Sequence, residues 1–216
     1  MFHLLFTILC NTPQPAPEVV PIYLDIFISD KGRREFELKM DNLENAVDIV
    51  KSKVESDLRK RAEKEPTNKN PMFQFNITIQ PELPIGIDLD TCGYSIEQLS
   101  NQLQQVHTID PGKNVLLFYN CDSEIYNDDF ANAKLESPLI VQSNNTLCVK
   151  TMTTFVNAER TKFELTLANA LLHACGANSK NPVSLSEEPE GDMGVSINFF
   201  YKDKAFDLMH AERCEL

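Results

Sequence analysis

From Asn169 to Ser179 the chain reads Asn-Ala-Leu-Leu-His-Ala-Cys-Gly-Ala-Asn-Ser. Side chains at i and i+4 share one helix face, so two imidazoles so spaced can hold one zinc ion. A glutamate beside the first would polarise the attacking water. A glycine three residues past the second imidazole turns the chain, and a third imidazole follows three residues later. This segment keeps that frame and loses most of its chemistry. Asn169 and Ser179 stand at two ligand positions, Ala170 stands at the base, and only His173 and Gly176 match.

Hydrolytic zinc needs three protein ligands and an open water position. Asn169 and Ser179 are poor ligands, and Ala170 cannot take a proton. Nearby groups do not rescue the site. Cys175 is two residues from His173 and points to a different helix face. Glu164 is about two and a half turns away and faces elsewhere, and His107 and His210 are distant in sequence. The expectation is therefore no catalytic residue and no cofactor, with zinc only if an atypical site exists. His173 reads as a partly buried neutral imidazole, hydrogen-bonded to Asn169 or to backbone. Cys175 reads as a structural thiol or half of a disulfide. The stretch Glu187-Glu-Pro-Glu-Gly-Asp192 lacks the regular carboxylate spacing of a calcium loop and reads as a solvated loop.

Alternating and amphipathic segments surround this helix. Ile22 to Asp30 alternates, with Ile22, Leu24, Ile26 and Ile28 on one side, which predicts a strand. Asp41, with Glu44 three residues on, predicts a capped helix to Lys64, striped by Leu43, Val47, Val50, Val54 and Leu58. Phe73 to Ile79 alternates again. A loop from Pro81 to Gly93 follows, then a short helix capped by Ser95. Strands are predicted at Asn114–Cys121, Pro138–Gln142 and Thr146–Thr153, and a helix at Arg160–Cys175 with Gly176 as its C-cap. An irregular acidic stretch from Asn178 to Gly194 and a helix from Ser196 to His210 complete the reading. The pattern is one α/β domain with a mixed sheet, and no phosphate-binding glycine loop is present.

Composition and termini set the compartment. The 216 residues carry 20 Lys+Arg against 32 Asp+Glu, a net charge of -12 that repels phosphate backbones, so nucleic acid is not an expected partner. No apolar run is long enough to span a bilayer. Met1 to Leu9 is almost wholly apolar and suits the core of a secretory signal. The expected organisation is a signal peptide over 1–12, a Pro-rich linker over 13–18 and one domain over 19–216. Secretion makes disulfides expected among Cys10, Cys92, Cys121, Cys148, Cys175 and Cys214. The sequons at Asn76 and Asn144 fit a secreted glycoprotein.

Several segments resemble the catalytic domain of the metzincin zinc metallopeptidases, in the adamalysin/reprolysin (disintegrin-metalloproteinase) branch. Ile22-Tyr-Leu-Asp-Ile-Phe-Ile-Ser29 looks like that family's first strand. Pro138 to Cys148 looks like its edge strand and the run to a cysteine. Met193, in Gly191-Asp-Met-Gly194, sits where a Met-turn would follow the metal helix. The resemblance covers Val19 to Leu216 and implies a Cys148–Cys214 disulfide. It also implies a mixed, mostly parallel sheet with an antiparallel edge strand, with Asn169 and His173 on a central helix beneath a cleft. With the ligands and base lost, the expected function is a secreted, catalytically inactive, metallopeptidase-like domain that binds a protein or peptide partner, for instance along a sheet edge. Two alternatives stand beside it: a diverged zinc metalloendopeptidase with an atypical site, and an extracellular coat or structural protein.

Overall fold

Strand β1 (Val19–Ile28) leaves its first half partly exposed and buries its second half on both faces. That pattern puts it at the centre of a sheet whose cover is incomplete at one end. The computed structural model describes residues 19–64, 72–91, 96–105, 112–120, 139–144, 149–156, 160–177, 182–189 and 195–201. The expected signal, linker, sequon turn at 145–148 and Met-turn all lie outside these ranges. So do Ser95, Ser179, Met193 and every cysteine except Cys175.

Five strands form the main sheet in the order β2-β1-β3-β5-β4. They are β1, β2 (Met72–Ile79), β3 (Asn114–Tyr119), β4 (Ile140–Asn144) and β5 (Val149–Phe155). All pairings are parallel except β4 with β5, so the expected mixed sheet with an antiparallel edge strand is present.

Alternation divides the side chains between two cores. Leu24, Ile26, Ile28, Phe75, Leu116, Phe118 and Met152 face α2 (Leu43–Lys64) and α4 (Arg160–Ala174). Phe27, Val115, Leu117, Tyr119 and Phe155 face α3 (Ile96–Gln104) and the loop residues Ile87 and Leu89. The second cover stops short. On that face Val19, Pro21 and Tyr23 of β1, and Gln74, Asn76 and Thr78 of β2, remain exposed.

Several expectations on element boundaries and types are corrected. Helix α1 (Asp30–Lys39) lies where no element is expected, because it is dense in charge and buries only Gly32 and Phe36. Ser29 closes β1 and caps α1, its Oγ accepting from the Gly32 amide at 3.0 Å. Phe36 then meets Phe163 of α4 with ring centroids 4.7 Å apart. The cap of α2 is Asn42 rather than Asp41: the Asn42 Oδ1 accepts from the Asn45 amide at 3.2 Å. Glu44 does not close a capping box, since Arg33 takes its carboxylate.

The largest difference is at the C-terminal end. The acidic stretch is not a loop throughout: Val183–Pro189 is strand β6, paired antiparallel with β7 (Val195–Tyr201). The helix expected from Ser196 is therefore a strand in its first six residues. Its apolar residues Ile197, Phe199 and Phe200 satisfy either period over so short a run. The hairpin is tied to α2 by the Tyr201 hydroxyl, which donates to Asp57 Oδ2 at 3.0 Å, and by Lys53, whose Nζ lies 4.3 Å from the Phe199 ring centre.

Candidate functional site

Helix α4 is apolar on every side, and each residue from Phe163 to Ala174 is buried. A helix hydrophobic all round belongs inside a domain. Its few polar groups must therefore find partners, and the partners define what they do. The Asn169 side chain uses both ends: Nδ2 donates to the Leu165 carbonyl at 3.0 Å, and Oδ1 accepts from the Val183 amide at 2.9 Å. Asn169 thus fastens the first residue of β6 to the helix.

His173 is 4% exposed. Its Nδ1 lies 2.8 Å from the Ala177 carbonyl oxygen. A carbonyl only accepts, so Nδ1 carries the proton and donates. Of the two partners expected for the imidazole, Asn169 or backbone, backbone holds Nδ1. The Ala177 oxygen is placed there by a Schellman ending: the Gly176 amide donates to the His173 carbonyl at 2.9 Å and the Ala177 amide to the Leu172 carbonyl at 3.0 Å. Gly176 adopts φ +96°, a conformation that suits glycine, so its expected role as C-cap is met.

The remaining groups are equally committed. Ala170 is fully buried and inert. Cys175 is a buried free thiol, and burial pushes its pKa well above the ordinary cysteine value, which disfavours the nucleophilic thiolate. Glu164 is buried and accepts from Arg160 Nε at 2.7 Å. Among the described residues, no group of three or more His, Cys, Asp and Glu side chains is placed to hold a metal ion. The Asn169 side chain, one turn before His173, is engaged at both ends.

A polar cluster that no local residue pattern announces lies at the carboxyl ends of β1 and β3, where the strand order reverses. Open α/β sheets often bind ligands in that crevice. Here Asp90 Oδ1 accepts from Ser29 Oγ and from Asn120 Nδ2, the latter at 3.1 Å. The Asn120 amide donates to the Leu89 carbonyl at 2.9 Å. These bonds pin the loop before α3 against the sheet. A Cβ on Gly32 would come within 3.1 Å of the Asn120 Cβ, so α1 approaches at glycine distance. The three side chains are 61 and 30 residues apart in sequence, and only the end of an alternating strand at Ser29 hinted at one of them.

A second unforeseen group sits at the opposite end of the strands. The buried Asp25 carboxylate pairs with Lys113 Nζ at 3.3 Å. Asn114 bridges three strands, donating to the Tyr23 carbonyl at 3.0 Å and accepting from the Lys150 amide at 2.8 Å. Of the two sequons, Asn76 is exposed on β2 and Asn144 ends β4.

The profile of a family described as spore wall protein (MICSWaP) matches residues 21–215. A spore wall protein of Encephalitozoon cuniculi (strain GB-M1) is 29% identical over 195 residues, covering 89% of this chain and 88% of that protein. These matches overturn the resemblance to the metzincins. They run through the segments that carried it, and they lead to wall proteins rather than peptidases. The metallopeptidase and pseudoenzyme descriptions fall with it. The physical reason is that strand–helix order follows from α/β packing and does not establish kinship. The local zinc frame matched only at His173 and Gly176, two residues that here build a helix end.

Proposed function

Because the chain belongs to the spore wall protein family, we propose that it is a structural component of the spore coat and does no catalysis there. Its location is extracellular, in the spore wall. The observation that carries the structural role is the family match, which extends over nearly the whole chain, residues 21–215. The chemistry of α4 supports it: Asn169 fastens β6 to the helix, and the His173 Nδ1 and Gly176 hold the helix end. The apolar start at Met1–Leu9 supplies the export signal in this reading.

Immunogold labelling of spore sections, with antibody raised against the purified chain, is the direct test. The gold is expected over the wall, and label confined to the cytoplasm would sink the reading. Catalysis is tested separately by metal analysis after dialysis against zinc. The chain is expected to retain no stoichiometric zinc, and His173→Gln is expected to leave metal content unchanged. About one zinc per chain, lost in His173→Gln, would restore a metal role for this helix.

A further inference from the structure

Strand β2 ends the main sheet on one side and reads Met-Phe-Gln-Phe-Asn-Ile-Thr-Ile. An open strand edge is a template for pairing with another chain, and proteins blunt it with charge, proline, a bulge, a short strand or a covering element. β2 is eight residues long, holds neither charge nor proline, and pairs with β1 from Met72 to Ile79 without a break. The other edge strand, β4, spans five residues. Protection of β2 must therefore come from outside the strand.

Parity shows where it is needed. The Gln80 amide donates to the Ile26 carbonyl at 2.8 Å, so Gln74, Asn76 and Thr78 aim their backbone groups at β1. Those of Phe73, Phe75, Ile77 and Ile79 aim outward. Glu55 lies on α2 between the buried Val54 and Leu58, which seat the helix on the core that β2 shares. Its half-buried side chain reaches the rim of the sheet, where Oε1 accepts from the Phe75 amide at 2.7 Å.

The place of that bond matters more than its strength. A strand added to β2 would have to offer a carbonyl oxygen to the Phe75 amide. The one proton of that amide is already given to a carboxylate, and charge-assisted bonds are stronger than neutral ones. An ionised carboxylate only accepts, so it offers the newcomer no donor in exchange and repels an arriving carbonyl oxygen. The outward row is thereby split, with Phe73 on one side of the blocked amide and Ile77 and Ile79 on the other.

We infer that Glu55 is an edge guard: its carboxylate, reaching from α2 across the rim of the sheet, holds the Phe75 amide and keeps further strands from adding to β2. The charge that edge strands ordinarily carry themselves is supplied here by a neighbouring helix. The inference stands on this contact and can fail while the wall location holds.

Sedimentation of the full chain at micromolar concentration tests it, with intermolecular β-sheet followed by infrared absorption. The unmodified protein is expected at one chain mass, 24.5 kDa. Glu55→Ala is expected to associate into species of two or more chains, with added β-sheet signal. Loss of the hydrogen bond could also loosen the fold, so two double variants locate the contact. E55A/N76K places a lysine on β2 itself and is expected to return to one chain mass, because a charged edge strand resists pairing. E55A/S56K adds the same charge to the exposed surface of α2 and is expected to stay associated. An E55A chain that remains single overturns the inference, as does an unmodified protein larger than one chain. So does association that N76K leaves intact, or that S56K reverses equally, since the contact would then not run through β2.

Discussion

A single buried acceptor decides how β6 is held. Replacing Asn169 by Leu keeps the volume apolar and strands the Val183 amide without its 2.9 Å partner. An unmade buried hydrogen bond costs about 1–3 kcal/mol, so denaturant midpoints should fall accordingly and hydrogen exchange at Val183 should quicken. Gly176→Ala isolates a backbone effect, because a Cβ there meets nothing within 4 Å. The positive φ alone should cost about 1–2 kcal/mol. Cys175 offers a third test. Its thiol is held protonated by burial, so alkylation at neutral pH should be slow in the native protein and prompt after denaturation. Fast native labelling at Cys175 would contradict its placement under the helix end.

Elements here are held by contacts between distant segments. The β6–β7 hairpin rests on α2 through Tyr201 and on α4 through Asn169. Burial, and then the neighbouring Asp57 carboxylate, push the Tyr201 phenol far above its ordinary pKa. A raised folded pKa means that the native state favours the protonated phenol. The stability it contributes is fully present below the unfolded value of 10.0 and is lost as pH rises beyond it. Urea melts at about pH 8 and about pH 11 should therefore show a loss that is smaller in Tyr201→Phe. An equal alkaline loss in both proteins would mean that the hairpin does not depend on this hydroxyl. At the other end of the domain, Asp88 accepts from the Asp90 and Thr91 amides at 2.9 and 3.0 Å, shaping the turn before α3. The Thr91 side-chain hydrogen bond first, and then these two amides, lower its pKa, so their contribution holds above the ordinary carboxylate range and fades as pH falls below it.

At the scale of the whole molecule, β3 is the axis of the fold. It is buried along its full length and separates the two apolar cores. Leu116 is completely buried in the core beneath α2 and α4. Leu116→Ala should cost about 2–5 kcal/mol. Domains of this kind hold only about 5–15 kcal/mol in total, so the thermal transition should drop sharply or the fold should be lost. A near-neutral result would mean that the two layers do not share this strand. The cover over the sheet is unequal, because α3 and its loop do not extend to β2. Among the described residues, that asymmetry leaves Val19, Pro21 and Tyr23 of β1 and Gln74, Asn76 and Thr78 of β2 exposed.

Much of this architecture was legible in the residues, because burial imposes a period. Ile22, Leu24, Ile26 and Ile28 of β1, the α2 stripe from Leu43 to Leu58 and Phe73 to Ile79 each line the core between the sheet and α2, and that burial sets their periods. Gly176 was legible as a cap because few other residues tolerate its φ. Helix α1 was not, since one large buried side chain, Phe36, makes no period. The strand character of Val183–Pro189 and Val195–Tyr201 was decided by their pairing with each other, which local composition does not encode. The roles of Asn169 and His173 were also tertiary decisions. In sequence they stand at the spacing of a metal site, but the Val183 amide and the Ala177 carbonyl give them structural work. The meeting of Ser29, Asp90 and Asn120 likewise exists only because parallel β1 and β3 bring their carboxyl ends side by side.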